Sequence, residues 1–313
     1  MSAETDFIAA VRGLATHSAA RGLLDDAAVL KVGGVTLVLT HDMLAEGVHF
    51  LPDDPPGDVA WKLVAVNLSD LAAKGARPVG VLLGYSLGDE AWDRAFAEGL
   101  GTALRGFGIP LLGGDTVKAP RVLGLTAIGE ASGPVPSRSG ARPGDHLWVS
   151  GTIGDAGAGL KALRGEIARS DALIERYRNP RPRLEAGERL APLVSAMMDV
   201  SDGLLIDAAR MAAASDCGIE LALDSVPLSE AYLAACGEVR LDAATAGDDY
   251  ELLFAAPPET APALRALADD LGLPFTRIGA CVAGAGLTLS DGGVPVPLPP
   301  RLGFEHGSRG TNG

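Results

Sequence analysis

The stretch MMDVSDGLLIDAARMA at residues 197–212 decides the fold class, because it passes from an apolar run through an acidic turn into a helical pattern. The residues up to Asp199 predict a buried strand, and a helix is predicted to begin at Leu204. Asp199 and Asp202 lie on either side of Ser201, where strand and helix meet. Two carboxylates beside apolar elements indicate either local caps or a shared ligand site.

Strands and helices alternate outward from this stretch in both directions. Strand patterns occupy residues 35–40, 80–87, 109–116, 121–131, 219–225 and 250–256, and helical patterns occupy 5–16, 59–75, 91–108 and 258–271. Residues 146–163 predict a strand, a glycine-rich turn and a helix, and a β region is predicted at the C-terminal end. The segment at 132–145 carries three prolines and three glycines among polar residues, which is typical of a linker. We therefore predict an α/β (α+β) fold with two domains, at residues 1–137 and 138–313.

The charge of the chain limits its partners. The 313 residues include 26 Lys and Arg against 40 Asp and Glu, which gives a net charge of −14, and 47% of the residues are hydrophobic. A hydrophobic fraction of this size supports a large core. An acidic surface repels nucleic acid and anionic membrane, so neither is an expected partner. It also repels ATP, unless cations intervene locally.

The cysteines and the N-terminal sequence favour a cytoplasmic protein. Cys217, Cys236 and Cys281 are widely spaced and form no CxxC pair, so we expect reduced thiols and no zinc site. The opening MSAETDFIAAVRGL has early acids and no uninterrupted apolar region of the signal-peptide type. No apolar run reaches the roughly 18 residues that a membrane helix needs.

Carboxylates recur at the ends of apolar elements in five places. They are Asp25 with Asp26, Asp42, Asp70, Asp115, and the pair Asp199 and Asp202. Each alone is explained by a helix cap, a turn or a solvated helix position. Asp42 and Asp115 both follow strand patterns, so we expect them to project from strand ends, where α/β proteins build ligand crevices. Asn67, Asp70 and Lys74 form one polar stripe on an otherwise apolar helix.

Converging carboxylates predict a metal site. Two like charges about 4 Å apart repel by roughly 4 kcal/mol at an effective dielectric near 20. Hard divalent cations relieve this repulsion, and a set of oxygen ligands favours Mg²⁺ over zinc. Magnesium commonly accompanies a nucleoside triphosphate, which also removes the repulsion between ATP and an acidic protein. The chain contains no GxxxxGK[ST] motif and no HRD or DFG set, which excludes P-loop enzymes and protein kinases.

Seven motifs in order connect the chain to a known family. They are LDDAAVL (24–30), DMLAEGVHF (42–50), AVNLSDLAAKGARP (65–78), LLGGDT (111–116), SRSGARPGD (137–145), DVSDGLLIDAA (199–209) and GDDYELLF (247–254). Together they resemble the thiamine-monophosphate kinases, in the superfamily of aminoimidazole ribonucleotide synthetase. The resemblance covers residues 20–306. It implies a two-domain aminoimidazole ribonucleotide synthetase-like fold, with N-terminal domains pairing in a homodimer.

The resemblance also implies an activity, namely Mg²⁺-dependent, direct in-line transfer of the ATP γ-phosphoryl group to thiamine monophosphate. Metal-binding positions fall on Asp26, Thr40, His41, Asp42, Asp70, Asp115, Asp199 and Asp202. ATP-contacting positions fall on Gly114, Asp115, Arg138 and Ser201, and substrate positions on His49, Asp248 and Phe304. Asp42, Asp70 and Asp199 would act through the metal, and no general base is expected, since the acceptor phosphate is already an anion.

Other interpretations of single residues stay open at this point. Arg138 could be a solvated linker arginine, and Phe304 a core residue. His49 could be a packed structural histidine, and Asp248 a turn cap. The sequence also departs from the family pattern at Leu24 (usually Gly), His41 (Thr or Ser), Asp248 (often Glu) and Gly307 (often aromatic).

Two other functions are weighed against the kinase. An ATP-dependent ligase or cyclase of the aminoimidazole ribonucleotide synthetase type would share the fold and the ATP site. It would lack the combination of LSDLAAKGA and GVHF found here. A non-catalytic Mg²⁺–nucleotide binding protein is disfavoured, because the acids, Arg138 and the substrate-side residues occur together.

Overall fold

The first half of the protein forms one five-stranded sheet with a long helix packed against it. The computed structural model describes residues 3–306. The elements of this half are α1 (Ala3–Arg12), β1 (Ala28–Val32), β2 (Val35–Ala45), α2 (Pro56–Ala73), β3 (Arg77–Leu87), α3 (Glu90–Phe107), β4 (Leu111–Lys118) and β5 (Val122–Ala131). The strands pair in the order β1-β2-β5-β3-β4, and only β3 and β4 are parallel.

The second half begins again with a strand and builds a larger sheet. Its elements are β6 (His146–Ser150), α4 (Asp155–Leu163), α5 (Asp171–Arg178), α6 (Leu184–Leu190), β7 (Ala196–Asp199), α7 (Leu204–Ser215), β8 (Gly218–Ala222), α8 (Glu230–Cys236), α9 (Arg240–Thr245), β9 (Leu252–Ala256), α10 (Ala261–Leu271), β10 (Phe275–Val282), β11 (Gly286–Asp291) and β12 (Val294–Val296). The strand order is β12-β11-β8-β10-β6-β9-β7, and only β8 and β11 are parallel.

Helix α2 lies between the two halves. Its side chains from Val59 to Ala73 are buried almost all round, which fits a helix that is covered on every face. One side packs on the first sheet and the other on α6, where a Cβ on Gly187 would lie 1.9 Å from the Ala72 carbonyl oxygen. Only glycine permits so close an approach of two helix backbones. Polar residues of α2 are therefore enclosed between two layers.

Helix boundaries follow local chemistry. Helix α3 begins after Asp89, whose side chain accepts hydrogen bonds from the N–H groups of Ala91 and Trp92. The helix ends at Gly108, whose φ of 67° places it in the left-handed region. Predicted helix 258–271 begins later than expected, since residues 258–260 form a 3-10 turn before α10.

The predicted α/β (α+β) class is confirmed, with two sheets that are both mainly antiparallel. Strand β1 and the short helices α5, α6, α8 and α9 were not predicted. The boundary between residues 137 and 138 stays a prediction. Among the described residues, no helix is both long enough and apolar enough to cross a membrane.

Candidate functional site

Three carboxylates from distant parts of the chain meet at the junction of the halves. Oxygen atoms of Asp26, Asp70 and Asp199 all lie within 4.8 Å of one another. Asp26 precedes β1, Asp70 lies in α2, and Asp199 ends β7. Asp70 and Asp199 are buried, with exposed fractions of 8% and 3%. We call Asp26, Asp70 and Asp199 the carboxylate cluster.

The electrostatics of the carboxylate cluster leave two acids short of positive charge. Burial raises the pKa of Asp70 well above its usual range, and the neighbouring Asp42 and Asp199 carboxylates raise it further. Burial, followed by Asp26, raises the pKa of Asp199 in the same way. Within the described part of the chain, their side-chain hydrogen-bond donors are neutral hydroxyls, Thr40 on Asp70 and Ser69 on Asp199, the latter at 2.6 Å. A bound cation would favour the ionised form of both.

Asp26 differs because it has two cationic neighbours. Burial alone would raise its pKa, but the Lys74 ammonium and the Arg138 guanidinium lower it below the ordinary value. The Nζ atom of Lys74 lies 2.7 Å from Asp26 and also contacts Asp25. Arg138 contacts Asp26 and is only 21% exposed, so it is not a solvated linker arginine. Its buried Nε atom has no hydrogen-bond partner within residues 3–306.

Strand β2 brings Asp42 to the carboxylate cluster and turns His41 away. Alternate residues of a strand face opposite sides, so Thr40 and Asp42 share the face toward α2. The pKa of Asp42 is raised to about 6 by burial, against the opposing effect of His41 and with smaller contributions from Asp202 and Asp26. The His41 ring is exposed and its Nδ1 lies 2.9 Å from Thr126 Oγ1. The imidazole therefore lies on the opposite face of β2 from Asp42 and Thr40, although its charge still lowers the pKa of Asp42.

The turn at Ser201 and Asp202 is held by a residue inside the next helix. Asp207 accepts hydrogen bonds of 3.1 Å from both the Ser201 and Asp202 N–H groups, and burial raises its pKa to about 7. Helix α7 has Gly203 at its N-cap, so the explanation of Asp202 as a helix cap is wrong. The Asp202 carboxylate instead pairs with Arg210.

Gly114 and Asp115 lie apart from the carboxylate cluster, on the edge strand β4. All eight residues of this strand are exposed. A Cβ on Gly114 would lie 2.0 Å from the Leu83 carbonyl oxygen, so backbone packing requires glycine there. The expectation that Asp42 and Asp115 project from strand ends is wrong, because both lie within strands, β2 and β4.

The three predicted substrate residues, His49, Asp248 and Phe304, lie close to the turn at Ser201 and Asp202. The Phe304 N–H donates to the Asp202 carbonyl at 2.9 Å, and the Asp248 N–H donates to the Ser201 carbonyl at 2.8 Å. Phe304 is 43% exposed, so it is not a core residue. His306 lies between the rings of Phe304 and His49, at centroid distances of 4.9 and 5.2 Å. Gly307 lies outside the described residues.

The hydrogen bonding of His49 makes its Nε2 the donor atom of the ring. Its Nδ1 accepts the Ala45 N–H at 3.0 Å, which places the ring hydrogen on Nε2 in the neutral form. Burial, then His306, lowers the pKa of His49, and this keeps the ring neutral at physiological pH. Asp248 has a φ of 70° and accepts from Lys62 at 2.8 Å and from the Tyr250 hydroxyl at 3.0 Å.

Several residues that contact the predicted site residues were not identified from the sequence. They are Lys62, Ser69, Asp207 and Arg210. Lys62 and Ser69 lie on the apolar helix α2, and a charged or hydroxyl residue inside a helix that is apolar all round was the available signal. Asp207 and Arg210 follow the acidic turn at helical spacing, which could have indicated that they fold back onto it.

Comparisons with known proteins bear on the family and the fold of the chain. Residues 24–131 match the N-terminal domain of AIR synthase related proteins, and residues 142–292 match the C-terminal domain. A thiamine-monophosphate kinase of Caulobacter vibrioides is 44% identical over 91% of this chain and 85% of that protein. The crystal structure of a Stenotrophomonas maltophilia thiamine-monophosphate kinase is 39% identical, covers 93% of this chain and 96% of its own, and has a TM-score of 0.78. A structure of AaThiL complexed with AMPPCP and TMP is 30% identical, covers 96% and 97%, and has a TM-score of 0.84.

Proposed function

The chain belongs to the thiamine-monophosphate kinase family, and we propose that it transfers the γ-phosphoryl group of ATP to thiamine monophosphate, giving thiamine diphosphate and ADP. The observation that carries this proposal is the carboxylate cluster. Beside it lie His49, Asp248 and Phe304, whose side chains suit the phosphate and the cationic ring of thiamine monophosphate. The family kinship and the relative complexed with AMPPCP and TMP favour the kinase over the ligase or cyclase alternative.

The donor set fits Mg²⁺. Asp26, Asp70 and Asp199 offer hard oxygen ligands within 4.8 Å of one another, and burial with mutual repulsion raises the pKa of Asp70 and Asp199. We propose that several Mg²⁺ ions, distributed between the carboxylate cluster and strand β4, are held by Asp26, Thr40, Asp42, Asp70, Asp115, Asp199, Asp202 and the main chain of His41. When bound, Mg²⁺ would screen the repulsion between two polyanions and neutralise charge on the transferring group.

The nucleotide side of the site is built from main chain and arginine. We propose that Gly114, Asp115, Arg138 and Ser201 contact ATP. The unpartnered Nε of Arg138 and its fixed position on Asp26 suit a phosphate oxygen, which a planar guanidinium binds with two parallel donors. Arg138 would orient the triphosphate, and no proton transfer is asked of it.

The acceptor side is proposed to consist of His49, Asp248 and Phe304. The neutral His49 ring would donate its Nε2 hydrogen to a phosphate oxygen of thiamine monophosphate. The exposed face of Phe304 suits the cationic thiazolium ring, since aromatic faces attract cations. Asp248 would accept hydrogen bonds from polar groups of the substrate. The acceptor phosphate is already anionic at neutral pH, so no base is required.

We further propose a cytoplasmic homodimer. Strand β4 is an edge strand whose apolar Leu111, Leu112 and Val117 are exposed, and uncovered edges of this kind are commonly paired. A second copy covering β4 would also enclose Asp115, which lies away from the carboxylate cluster in one chain. A net charge of −14 disfavours nucleic acid and anionic membranes as partners.

Phosphorus NMR of the purified protein with ATP, MgCl₂ and thiamine monophosphate tests the proposed reaction. We expect thiamine diphosphate and ADP in equal amounts, and no turnover with EDTA. Unphosphorylated thiamine serves as the control acceptor. ATP left intact in the complete mixture would overturn the proposal, and the precursor of aminoimidazole ribonucleotide would then be the next substrate to test.

A further inference from the structure

Lys62 is a buried cation that the proposed reaction does not yet use. It lies in the middle of α2, and its side chain is 2% exposed. A lone ammonium at such depth is strongly unfavourable unless every hydrogen finds a partner. Lysine is almost never fully buried without one. Its contacts therefore indicate why the chain keeps a charge at this position.

The ammonium of Lys62 is fully engaged by three groups. It donates to the Asp248 carboxylate at 2.8 Å and to the His49 carbonyl at 3.0 Å. It also lies 4.0 Å from the centre of the Tyr177 ring, within the range of a cation–π contact. His49 belongs to the first half of the chain, whereas Asp248 and Tyr177 belong to the second. Lys62 thus joins two predicted substrate residues across the junction.

The backbone of Asp248 needs such support. Asp248 and Tyr250 have φ values of 70° and 51°, a left-handed conformation that side chains disfavour. Both carboxylate oxygens of Asp248 are tied, one to Lys62 and one to the Tyr250 hydroxyl at 3.0 Å. The carboxylate is nevertheless 29% exposed, so it remains open to a ligand on one side.

We propose that Lys62 is a positioning residue for the acceptor substrate, holding the Asp248 carboxylate and the His49 main chain in the arrangement that binds thiamine monophosphate. This inference rests on the proposed function. Lys62 itself is enclosed by His49, Asp248 and Tyr177 and need not touch the substrate. Its loss therefore acts on the acceptor side of the site and leaves the ATP side, around Arg138, unchanged.

The test compares the two Michaelis constants in the variant Lys62→Met, which keeps the length of the side chain and removes its charge. We expect the KM for thiamine monophosphate to rise about 10- to 100-fold, because Asp248 loses its charged partner. The KM for ATP should stay within about twofold. Lys62→Gln, which keeps a donor without the charge, provides a second variant if the methionine protein folds poorly.

Two controls separate positioning from mere domain docking. Arg178→Met breaks a different ion pair across the junction, Arg178 with Asp54 at 2.9 Å, and we expect it to lower the thermal midpoint without changing either KM. Lys62→Cys, alkylated with 2-bromoethylamine while unfolded and then refolded, regains an ammonium of nearly lysine length, and we expect it to regain the acceptor KM. Wild type treated identically accounts for Cys217, Cys236 and Cys281.

A parallel rise in both KM values, or a loss of stability alone as in Arg178→Met, would overturn the role of Lys62. So would failure of the restored ammonium to rescue the acceptor KM. Wild-type turnover of thiamine monophosphate tests the proposed function independently of the KM values of the variants. If wild type lacks that turnover, calorimetric binding of thiamine monophosphate to wild type and Lys62→Met still decides whether Lys62 organises this side.

Discussion

Replacing Asp199 by asparagine should stabilise the protein in the absence of metal while removing its response to Mg²⁺. Carboxylate oxygens of Asp26, Asp70 and Asp199 lie within 4.8 Å of one another. Two unit charges at that distance repel by about 3.5 kcal/mol at an effective dielectric of 20. Since raised pKa values leave part of this charge protonated, we expect Asp199→Asn to raise the unfolding free energy by about 1–3 kcal/mol in EDTA at pH 7.

The pH dependence has a definite sign. The pKa of Asp199 is raised in the folded protein, so its contribution is most favourable at low pH and is lost as pH rises toward the folded pKa. The stabilising effect of Asp199→Asn should therefore be larger at pH 8 than at pH 5. The Ser69 hydroxyl, 2.6 Å from Asp199, can still donate to the amide oxygen of asparagine, so the packing is preserved.

Urea unfolding in EDTA, followed by tryptophan fluorescence, measures the stability without metal. Thermal denaturation with increasing MgCl₂ measures the response to Mg²⁺. Wild type should gain stability with Mg²⁺, and Asp199→Asn should gain little. Glu188→Gln, a change of one exposed carboxylate on α6, is the matched control and should alter neither result. A variant that is less stable than wild type in EDTA, or that keeps the full Mg²⁺ response, would refute the reasoning.

The remaining predictions concern single residues around the site. Because burial raises the pKa of Asp42 to about 6, the Mg²⁺ concentration that half-maximally stabilises wild type should rise as pH falls from 7 to 5, whereas Asp42→Asn should show a weaker pH dependence, left by Asp70 and Asp199, and no turnover. His41→Thr should leave kcat/KM within about tenfold, or 1.4 kcal/mol, because the ring lies on the far face of β2; a larger gain in a steady-state assay would mean that a hydroxyl is wanted there. Arg138→Met should raise the KM for ATP by about 10- to 100-fold and leave that for thiamine monophosphate nearly unchanged. Gly114→Ala should distort β4 at Leu83 and weaken the proposed dimer, which sedimentation would report as monomer at concentrations where wild type is dimeric.

The polar stripe of α2 shows what a sequence pattern can predict. Asn67, Asp70 and Lys74 stood out because they share one face of an apolar helix, and all three are buried. Burial of polar groups requires partners, so convergence with other acids could be expected before any coordinates. The change from strand to helix around Asp199 could also be predicted, because the period of the hydrophobic residues changes there.

Other features depend on pairing that no local pattern contains. Asp42 and Asp115 were expected at strand ends, yet β2 and β4 continue beyond them, because strand length is set by the neighbours β5 and β3. The direction of His41 follows from the register of β2, in which a shift by one residue would exchange the two faces. Lys62 was not singled out in the sequence, because its partner Asp248 is 186 positions away.

In the part of the chain that the structure describes, the cationic side chains of the site pair with only one carboxylate of the cluster and leave the other two available to bind a metal ion. Lys74 and Arg138 lower the pKa of Asp26, so this carboxylate stays ionised over the physiological range. Among residues 3–306, Asp70 and Asp199 accept side-chain hydrogen bonds only from the neutral hydroxyls of Thr40 and Ser69, so they keep their affinity for an added cation. If Lys74 paired with Asp70 instead, metal binding would have to displace a buried ion pair, which costs several kcal/mol. Because Asp70 and Asp199 have no cationic partner to displace within the described residues, they favour strong metal binding. Because their pKa values are raised, binding a metal ion should release a proton, and the affinity for the metal should weaken as pH falls.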